Sequence, residues 1–225
     1  MISELTDRAV IAVSGPQARE FLQNLITNDV EKLTPGGAIY AALLTPQGKI
    51  LFDFLIAQSG GALLIDCPRA AREGLIRRLS MYKLRAKVEI APRDDLGVFA
   101  SPGPLPGGFA DPRLEALGYR AIVQAMSVDN GPEGYHARRL GLGVPEGADF
   151  GSDRMFALDG GLNELHAIAF DKGCYVGQEV TARMKHRGKD AKRLLPVTAA
   201  DGTRSFALIR LIEAPESEKP LWLFS

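Results

Sequence analysis

Cysteine is scarce: Cys67 and Cys174 are the only two in 225 residues. Two are too few for a disulfide framework, and neither lies in a CxxC or a Cys/His cluster of the kind that houses zinc or an iron–sulfur cluster. No permanently bound metal is expected. An excess of charge of either sign is missing too, since Lys plus Arg and Asp plus Glu both number 27. That excludes a whole-molecule attraction to nucleic acid or membrane, so any such attraction is local. No apolar run approaches the ~20 residues of a membrane span, and Met1 to Asp7 have neither the basic start nor the apolar run of a secretory leader. A cytoplasmic protein with no membrane partner is therefore expected. What the chain does have is a hydrophobic share of 46%, ample for a packed core.

Along the chain, Val10–Val13 reads as a strand, and Ser14-Gly15-Pro16 predicts the start of a helix, with Ser14 supplying the cap and the proline in the first turn. Ala18, Phe21, Leu22, Leu25 and Ile26 keep the spacing of a buried helix face, which Asn28-Asp29 is expected to end. From Ala38 to Asp66, apolar and β-branched runs broken by Pro46-Gln47-Gly48 and Ser59-Gly60-Gly61 predict an antiparallel meander. Asp66-Cys67-Pro68 is read as a second helix start, followed by Ala71, Leu75, Ile76, Leu79 and Tyr82 at helical spacing. Returning strands are expected at Lys87–Ile90 and Leu96–Ala100. This order is α+β. Ser101 to Gly108 is too rich in proline and glycine for an element interior and is a loop or a boundary. Beyond it a strand at Tyr119–Val123, a helix at Glu133–Leu140 and strands at Leu194–Val197, Phe206–Ile212 and Leu221–Phe224 are predicted. These last strands are too few for a complete barrel. The division expected is 1–190 as the main unit, with an internal boundary near 101–110, and 191–225 as a truncated β module.

The densest chemistry lies between Leu162 and Lys189. Asn163-Glu164-Leu165-His166 is followed by Lys172-Gly173-Cys174-Tyr175-Val176-Gly177-Gln178-Glu179 and then by Arg183, Lys185, His186, Arg187 and Lys189. Gly173 and Gly177 suit a tight loop, with Gly177 at a helix start. Val180 and Met184 then share a buried helical face, and Glu179, Arg183 and Arg187 stand four apart as ion pairs. A thiol just ahead of a helix and near Lys172 is placed to become a nucleophilic, redox-active or iron-binding thiolate. The alternative is that Cys174 is a small buried filler, as most free cysteines are. The basic run Arg183–Arg193 suits an RNA backbone, a polyglutamate tail or an acidic protein, or is simply a solvated face. It lacks interleaved aromatics, which weakens the RNA option.

The octapeptide Lys172–Glu179 resembles the signature of the YgfZ-like, folate-binding iron–sulfur assembly factors. Phe21–Val30, Thr45–Leu51, Tyr82–Val88, Asp111-Pro112-Arg113 and Gly118-Tyr119-Arg120 resemble the same family, in order, over roughly residues 5 to 195. The resemblance implies an aminomethyltransferase-like fold, that of the glycine-cleavage T-protein, in which small α+β subdomains surround a central folate-binding cavity, here with a shortened C-terminal β module. It also implies tetrahydrofolate or a related reduced folate as cofactor. The implied partners are iron–sulfur assembly proteins and client enzymes, a tRNA-modifying one among them. The signature cysteine maps onto Cys174, and Lys172, Gly173, Tyr175, Gly177, Gln178 and Glu179 are carried with it as cofactor-binding positions. Asp53 stands where T-proteins have an aspartate that handles the folate nitrogen, a role a partly buried carboxylate can fill. An ordinary ion-paired carboxylate is the alternative there.

The pattern also departs from the family. A first-strand tryptophan is replaced by Arg8, while a second aromatic position is kept as Tyr135; both are expected to line the cavity with Asp53. Ala157 and Gly161 replace a proline and an asparagine, and the last barrel is short around Ala200–Ser205. The pterin-gripping glutamate of T-proteins appears as Gly141, with Glu133 and Glu146 the nearest acids. Two functions follow from the resemblance, a folate-binding iron–sulfur assembly or repair factor with a functional Cys174 and a folate-dependent one-carbon transferase using Asp53; the basic run Arg183–Arg193 adds a third, a folate-independent, non-catalytic scaffold for acidic partners or RNA.

Overall fold

The computed structural model describes residues 1–128, 130–185 and 192–224. Two antiparallel sheets are stacked. The first, five strands in the order β3-β4-β5-β2-β6, is built from β2 (Arg8–Ser14), β3 (Ala38–Leu44), β4 (Ile50–Ser59), β5 (Ala62–Pro68) and β6 (Glu89–Pro92). The second, in the order β1-β7-β9-β8, is built from β1 (Ser3–Glu4), β7 (Leu96–Ser101), β8 (Gly108–Ala110) and β9 (Tyr119–Gln124). The proline- and glycine-rich stretch at 102–107 joins β7 to β8 within this second sheet.

Strand periodicity decides which face of each residue is covered. Ile11, Val13, Ala41, Leu43, Phe54, Ile56 and Ile65 lie under helices α1 (Ala18–Gln23) and α2 (Arg72–Lys83), packed on Phe21, Leu22, Leu75 and Leu79. Their neighbours Val10, Ala12, Tyr40, Ala42, Leu44, Leu55 and Leu64 belong to a separate core shared with Val98, Ala100, Phe109 and Ile122 of the second sheet. Covered on both faces, these strands read as apolar runs rather than alternating ones, broken by charged residues such as Asp53 and Asp66. Helix α3 (Glu133–Gly141) closes one side of the inter-sheet core through Tyr135, and helix α4 (Gln178–Lys185) follows the octapeptide loop. The pair β10 (Lys192–Thr198) and β11 (Arg204–Arg210) forms a hairpin of its own. It is tied to the body by the Leu194 N–H donating to the Asp159 carbonyl at 2.7 Å.

The structure corrects several expected boundaries. Ser14 is the last residue of β2, not a helix cap; α1 starts at Ala18 after Gln17, with no side-chain cap. The helix stops at Gln23, short of Asn28, yet Leu25 and Ile26, whose N–H groups still bond to the Leu22 carbonyl, stay buried in the core that lies under the sheet. Asp66 does not open a helix: β5 runs through to Pro68, and α2 begins at Arg72. Leu221–Phe224 forms a short 3-10 turn, with Trp222 and Leu223 buried, rather than a strand.

Candidate functional site

Between the two sheets, where the strand period should place apolar side chains, lie charged ones. Arg8 precedes Val10 on β2, Asp53 precedes Leu55 on β4, Asp66 follows Leu64 on β5, and Arg120 precedes Ile122 on β9. All are at most 3% exposed. Charges this deep persist only when paired and hydrogen-bonded, and here they pair with one another. Arg8 donates from Nε to Asp66 Oδ1 at 2.6 Å, and Arg120 donates from Nη1 to Asp66 Oδ2 at 2.6 Å. Arg120 and Arg113 both donate to the Tyr135 hydroxyl, at 2.5 and 2.7 Å, and that hydroxyl donates to Glu146 Oε2 at 2.8 Å. Arg113 holds Asp111 through two bonds, at 2.9 and 2.7 Å, and Glu146 through a third at 2.7 Å.

Asp53 completes the group. Its carboxylate accepts from the Tyr40 hydroxyl at 3.0 Å and from the Gly147 N–H at 2.9 Å. Burial, together with the nearby charge of Glu146, pushes its pKa above the usual carboxylate value, against the pull of Arg8. Burial opposes ionisation of Glu146 as well, but Arg113, Arg8 and Arg120 outweigh it and hold that carboxyl well below its ordinary range. Asp111 is likewise held down by Arg113 against its burial. The network therefore balances the guanidiniums of Arg8, Arg113 and Arg120 against Asp66, Asp111 and Glu146, and Asp53 is shifted toward protonation while Asp111 and Glu146 are shifted away from it. Burial raises Tyr135 to about 12, so it stays a phenol that donates.

Arg8, Asp53 and Tyr135, expected to line a cavity, lie instead in a paired network at the centre with Asp66, Arg113, Arg120 and Glu146, four residues given no site role from sequence. Their signal was available, because a charge in the buried phase of a strand needs a partner. Its partners lie tens of residues away and could not be matched from spacing. Folate, the group implied by the resemblance, does not fit the centre in this arrangement. A pterin needs oriented polar groups facing an opening, and the Asp53 carboxylate, the Tyr135 hydroxyl and Nε and Nη2 of Arg8 spend theirs on protein partners; of the fully buried side-chain polar atoms there, among the described residues, only Arg120 Nε has none. A cleft of about 380 Å³ opens alongside, past Tyr40, walled by Asn28, Lys32, Pro112, Asn163 and His166.

The octapeptide forms a second assembly at the edge of the five-stranded sheet nearest β3. The Lys172 ammonium is turned inward and donates to the carbonyls of Gln23, Ile26 and Asn28 at 2.6, 2.9 and 2.8 Å. It stands 5.4 Å from the centre of the Tyr175 ring. Burial brings its pKa down to about 8, which leaves it charged at neutral pH. Gly177 has φ +83°, and a Cβ there would sit 2.5 Å from the Thr45 carbonyl oxygen. Its close approach seats the loop on the Thr45–Gly48 turn, where Val180 meets Gly48. Three segments that carry the family resemblance, Phe21–Val30, Thr45–Leu51 and the octapeptide, therefore meet in one place.

Gly173 departs from its expected role: its φ is not positive and nothing lies within 4 Å of a Cβ there, so the tight turn depends on Gly177 alone. Cys174 is exposed and is no core filler. Gln178 opens α4, where Thr181 is the buried residue and Val180 and Met184 are half-buried. Glu179 pairs with Arg183 at 2.5 Å on the exposed face. Lys185 lies over the Phe170 ring at 3.8 Å, and Arg193 is bound to Glu164 at 2.8 Å, so part of the basic run is already engaged. Residues 186–191 of that run, His186, Arg187 and Lys189 among them, lie outside the described residues. Among the described residues no three His, Cys, Asp or Glu side chains stand together as a metal site, and no helix is long and apolar enough to cross a membrane.

Residues 2–105 match the GCVT N-terminal domain family. The chain superposes on the glycine cleavage system aminomethyltransferase T from Bartonella henselae with a TM-score of 0.70, covering 90% of this chain and 71% of that one at 17% identity. The α+β T-protein architecture is thereby the fold of this chain. In sequence it is 32% identical to the mitochondrial iron–sulfur cluster assembly factor IBA57 homolog of Neurospora crassa, over 97% of this chain and 60% of that protein. It is 32% identical to mitochondrial IBA57 of Mus musculus over 86% of this chain and 64% of that protein. The Homo sapiens protein of the same name is 31% identical over 88% and 66%. The chain thus spans about three fifths to two thirds of the length of these curated relatives. Their mitochondrial names overturn the cytoplasmic location expected from the sequence, and point to the mitochondrion instead. The apolar pattern sought at Met1 to Asp7 is that of secretion, whereas the segments that direct import into that organelle are amphipathic and Arg-rich, so that pattern does not bear on them.

Proposed function

We propose that this chain, whose curated relatives are iron–sulfur cluster assembly factors, is a YgfZ-like factor of that kind, and that Cys174 is its working group. The observation that carries the reading is the contrast within the octapeptide. Lys172 and Gly177 bind the loop tightly to two other segments of the chain, while the cysteine between them is left bare. A thiol presented from a rigid pedestal suits transient ligation of iron in a cluster that is cargo, not a resident cofactor. One cysteine supplies one ligand, so the remaining ligands come from the partner that delivers or receives the cluster. Client iron–sulfur enzymes and assembly proteins are the partners this assigns.

Asp53 belongs to the architecture in this reading. It is buried and bonded to Tyr40 and Gly147, and it has no free face with which to serve as the acid–base group of a one-carbon transferase. No step is assigned to folate, because the centre is internally paired. The test compares wild type, Cys174→Ser and Gly173→Ala in cells lacking the endogenous chain, with the activity of an iron–sulfur enzyme as the readout. Gly173→Ala should restore that activity and Cys174→Ser should leave it at the level of the empty vector, with both proteins present in equal amount. Full restoration by Cys174→Ser removes the reading. In parallel, a methylene- or formyl-transfer rate from methylene- or formyl-tetrahydrofolate, with tetrahydrofolate released, that vanishes in Asp53→Asn reinstates the transferase.

A further inference from the structure

One segment with family resemblance, Tyr82–Val88, takes no part in either assembly. It lies where α2 turns back into β6, at the edge of the five-stranded sheet opposite β3 and the octapeptide. Helix α2 ends in a β-turn closed by the Ala86 N–H donating to the Lys83 carbonyl at 2.8 Å. Leu84 occupies its first central position with φ 43° and ψ −107°. Those angles are those of a type II′ turn, where glycine dominates because a Cβ is strained. Leucine bears that strain here and gains no burial in return, as it is 88% exposed. One helical turn earlier Met81 is 67% exposed. Strain retained on a bare apolar side chain points to a contact made outside the chain.

The charge around these two residues states what kind of contact. Residues 77–87 hold Arg77, Arg78, Lys83, Arg85 and Lys87 and not one acid, in a protein whose net charge is zero. Arg77, Arg85 and Lys87 are exposed and the other two half-buried. None of the five side chains has an ion pair or hydrogen bond among the described residues. The nearest acid on the N-terminal side, Glu73, is bonded to Arg72, and Glu89 lies beyond the cluster.

We propose that the turn at the end of α2 docks an acidic protein surface that carries one apolar recess, with Leu84 as the anchor, Met81 beside it and the five cations as a surrounding rim. A desolvated apolar centre inside a charged rim is the usual anatomy of a specific protein contact, and the rim sets partner choice and association rate. Protein is favoured over single-stranded nucleic acid because the segment's one aromatic, Tyr82, packs against the core, leaving no stacking platform. It is favoured over a lipid surface because a strained turn holds a single leucine in one direction, a feature that a pocket rewards and a fluid bilayer does not. The surface is independent of Cys174 and stands or falls without it.

The test pans the full chain against a displayed library of short random peptides, with phosphatidylglycerol vesicles and a single-stranded oligonucleotide as parallel probes. Selected peptides should be rich in Asp and Glu around one apolar residue. Their binding should weaken with salt and drop on the order of tenfold in Leu84→Gly and in the Arg77→Glu/Arg85→Glu double variant. Leu84→Gly should unfold at the same temperature as wild type or higher, which separates lost docking from lost folding. The proposal is overturned if the selected peptides show no acidic enrichment, if both variants bind them as well as wild type, or if Leu84→Gly unfolds at a lower temperature. It is also overturned if the vesicles or the oligonucleotide show the charge and leucine dependence that the peptides lack.

Discussion

The two glycines that bracket Cys174 look equivalent in the sequence and should respond very differently to one added methyl group. At Gly177, alanine inherits φ +83°, which costs an L-residue about 1–2 kcal/mol. Its Cβ would also lie 2.5 Å from the Thr45 carbonyl oxygen, 3.0 Å from Leu44 Cβ and 3.2 Å from Gly48 Cα. Two of these three neighbours are backbone, so relief requires moving the loop or the turn beneath it, an overpacking cost of about 1–3 kcal/mol. The sum, about 2–5 kcal/mol, is a large fraction of the stability of an ordinary domain. For a chain of this size it corresponds to a fall in Tm of roughly 4–20 °C. At Gly173, with no positive φ and no neighbour within reach, alanine should change stability by no more than about 0.5 kcal/mol. Urea unfolding and thermal scans of the two variants check this, with iron–sulfur enzyme activity in cells measured beside them. Equal effects at the two positions, or a neutral Gly177→Ala, would refute the claim that the close approach of Gly177 to Thr45 holds the cysteine loop in place.

Further expectations concern the buried network. Arg113→Met leaves Asp111 and Glu146 without their main counter-charge and should cost about 3–5 kcal/mol in urea unfolding; a loss below about 1 kcal/mol would show that the ion pairs are replaceable by packing. Acid sensitivity follows from the shifts. Glu146 and Asp111 are held below their unfolded values, so the stability they contribute is complete above a pH of about 4 and is lost as pH falls through their folded values. Asp53 is shifted the other way, so its contribution is present below a pH of about 4 and declines as pH rises through its raised value. Asp53→Asn should therefore gain on wild type as pH is raised from about 4 to 7 in a series of urea midpoints; a constant difference across that range would contradict the raised pKa. Cys174→Ser should leave the unfolding temperature unchanged, since the side chain is exposed, and a marked drop would mean that the thiol is structural.

Much of the fold could be read from local pattern. The meander from Ala38 to Asp66, the helix face of Leu75 and Leu79, and the strands at Tyr119 and Leu194 emerge at the expected places because apolar periodicity and turn residues are properties of neighbouring positions. Element ends were less legible. Ser14 and Asp66 carry side chains that cap helices well, yet both stay in strands because their pairing with β6 and with β2 and β4 continues through them. Leu221–Phe224 is apolar enough for a strand but is drawn into a turn that buries Trp222.

The octapeptide shows the division most clearly. Sequence by itself determined that a cysteine sits in a glycine-bounded loop leading into a helix, and its resemblance to the YgfZ-like signature agrees with the T-protein fold and the assembly-factor relatives. Tertiary structure alone decided that Gly177 and not Gly173 makes the loop possible, that Lys172 points inward at three carbonyls, and that the thiol is left bare. It also decided that Arg8, Asp53 and Tyr135 close the centre with Asp66, Arg113, Arg120 and Glu146. The reason is physical: a backbone preference is felt within a few residues, whereas the partner of a buried charge and the atom that a methyl group would strike are set by segments brought together from distant parts of the chain.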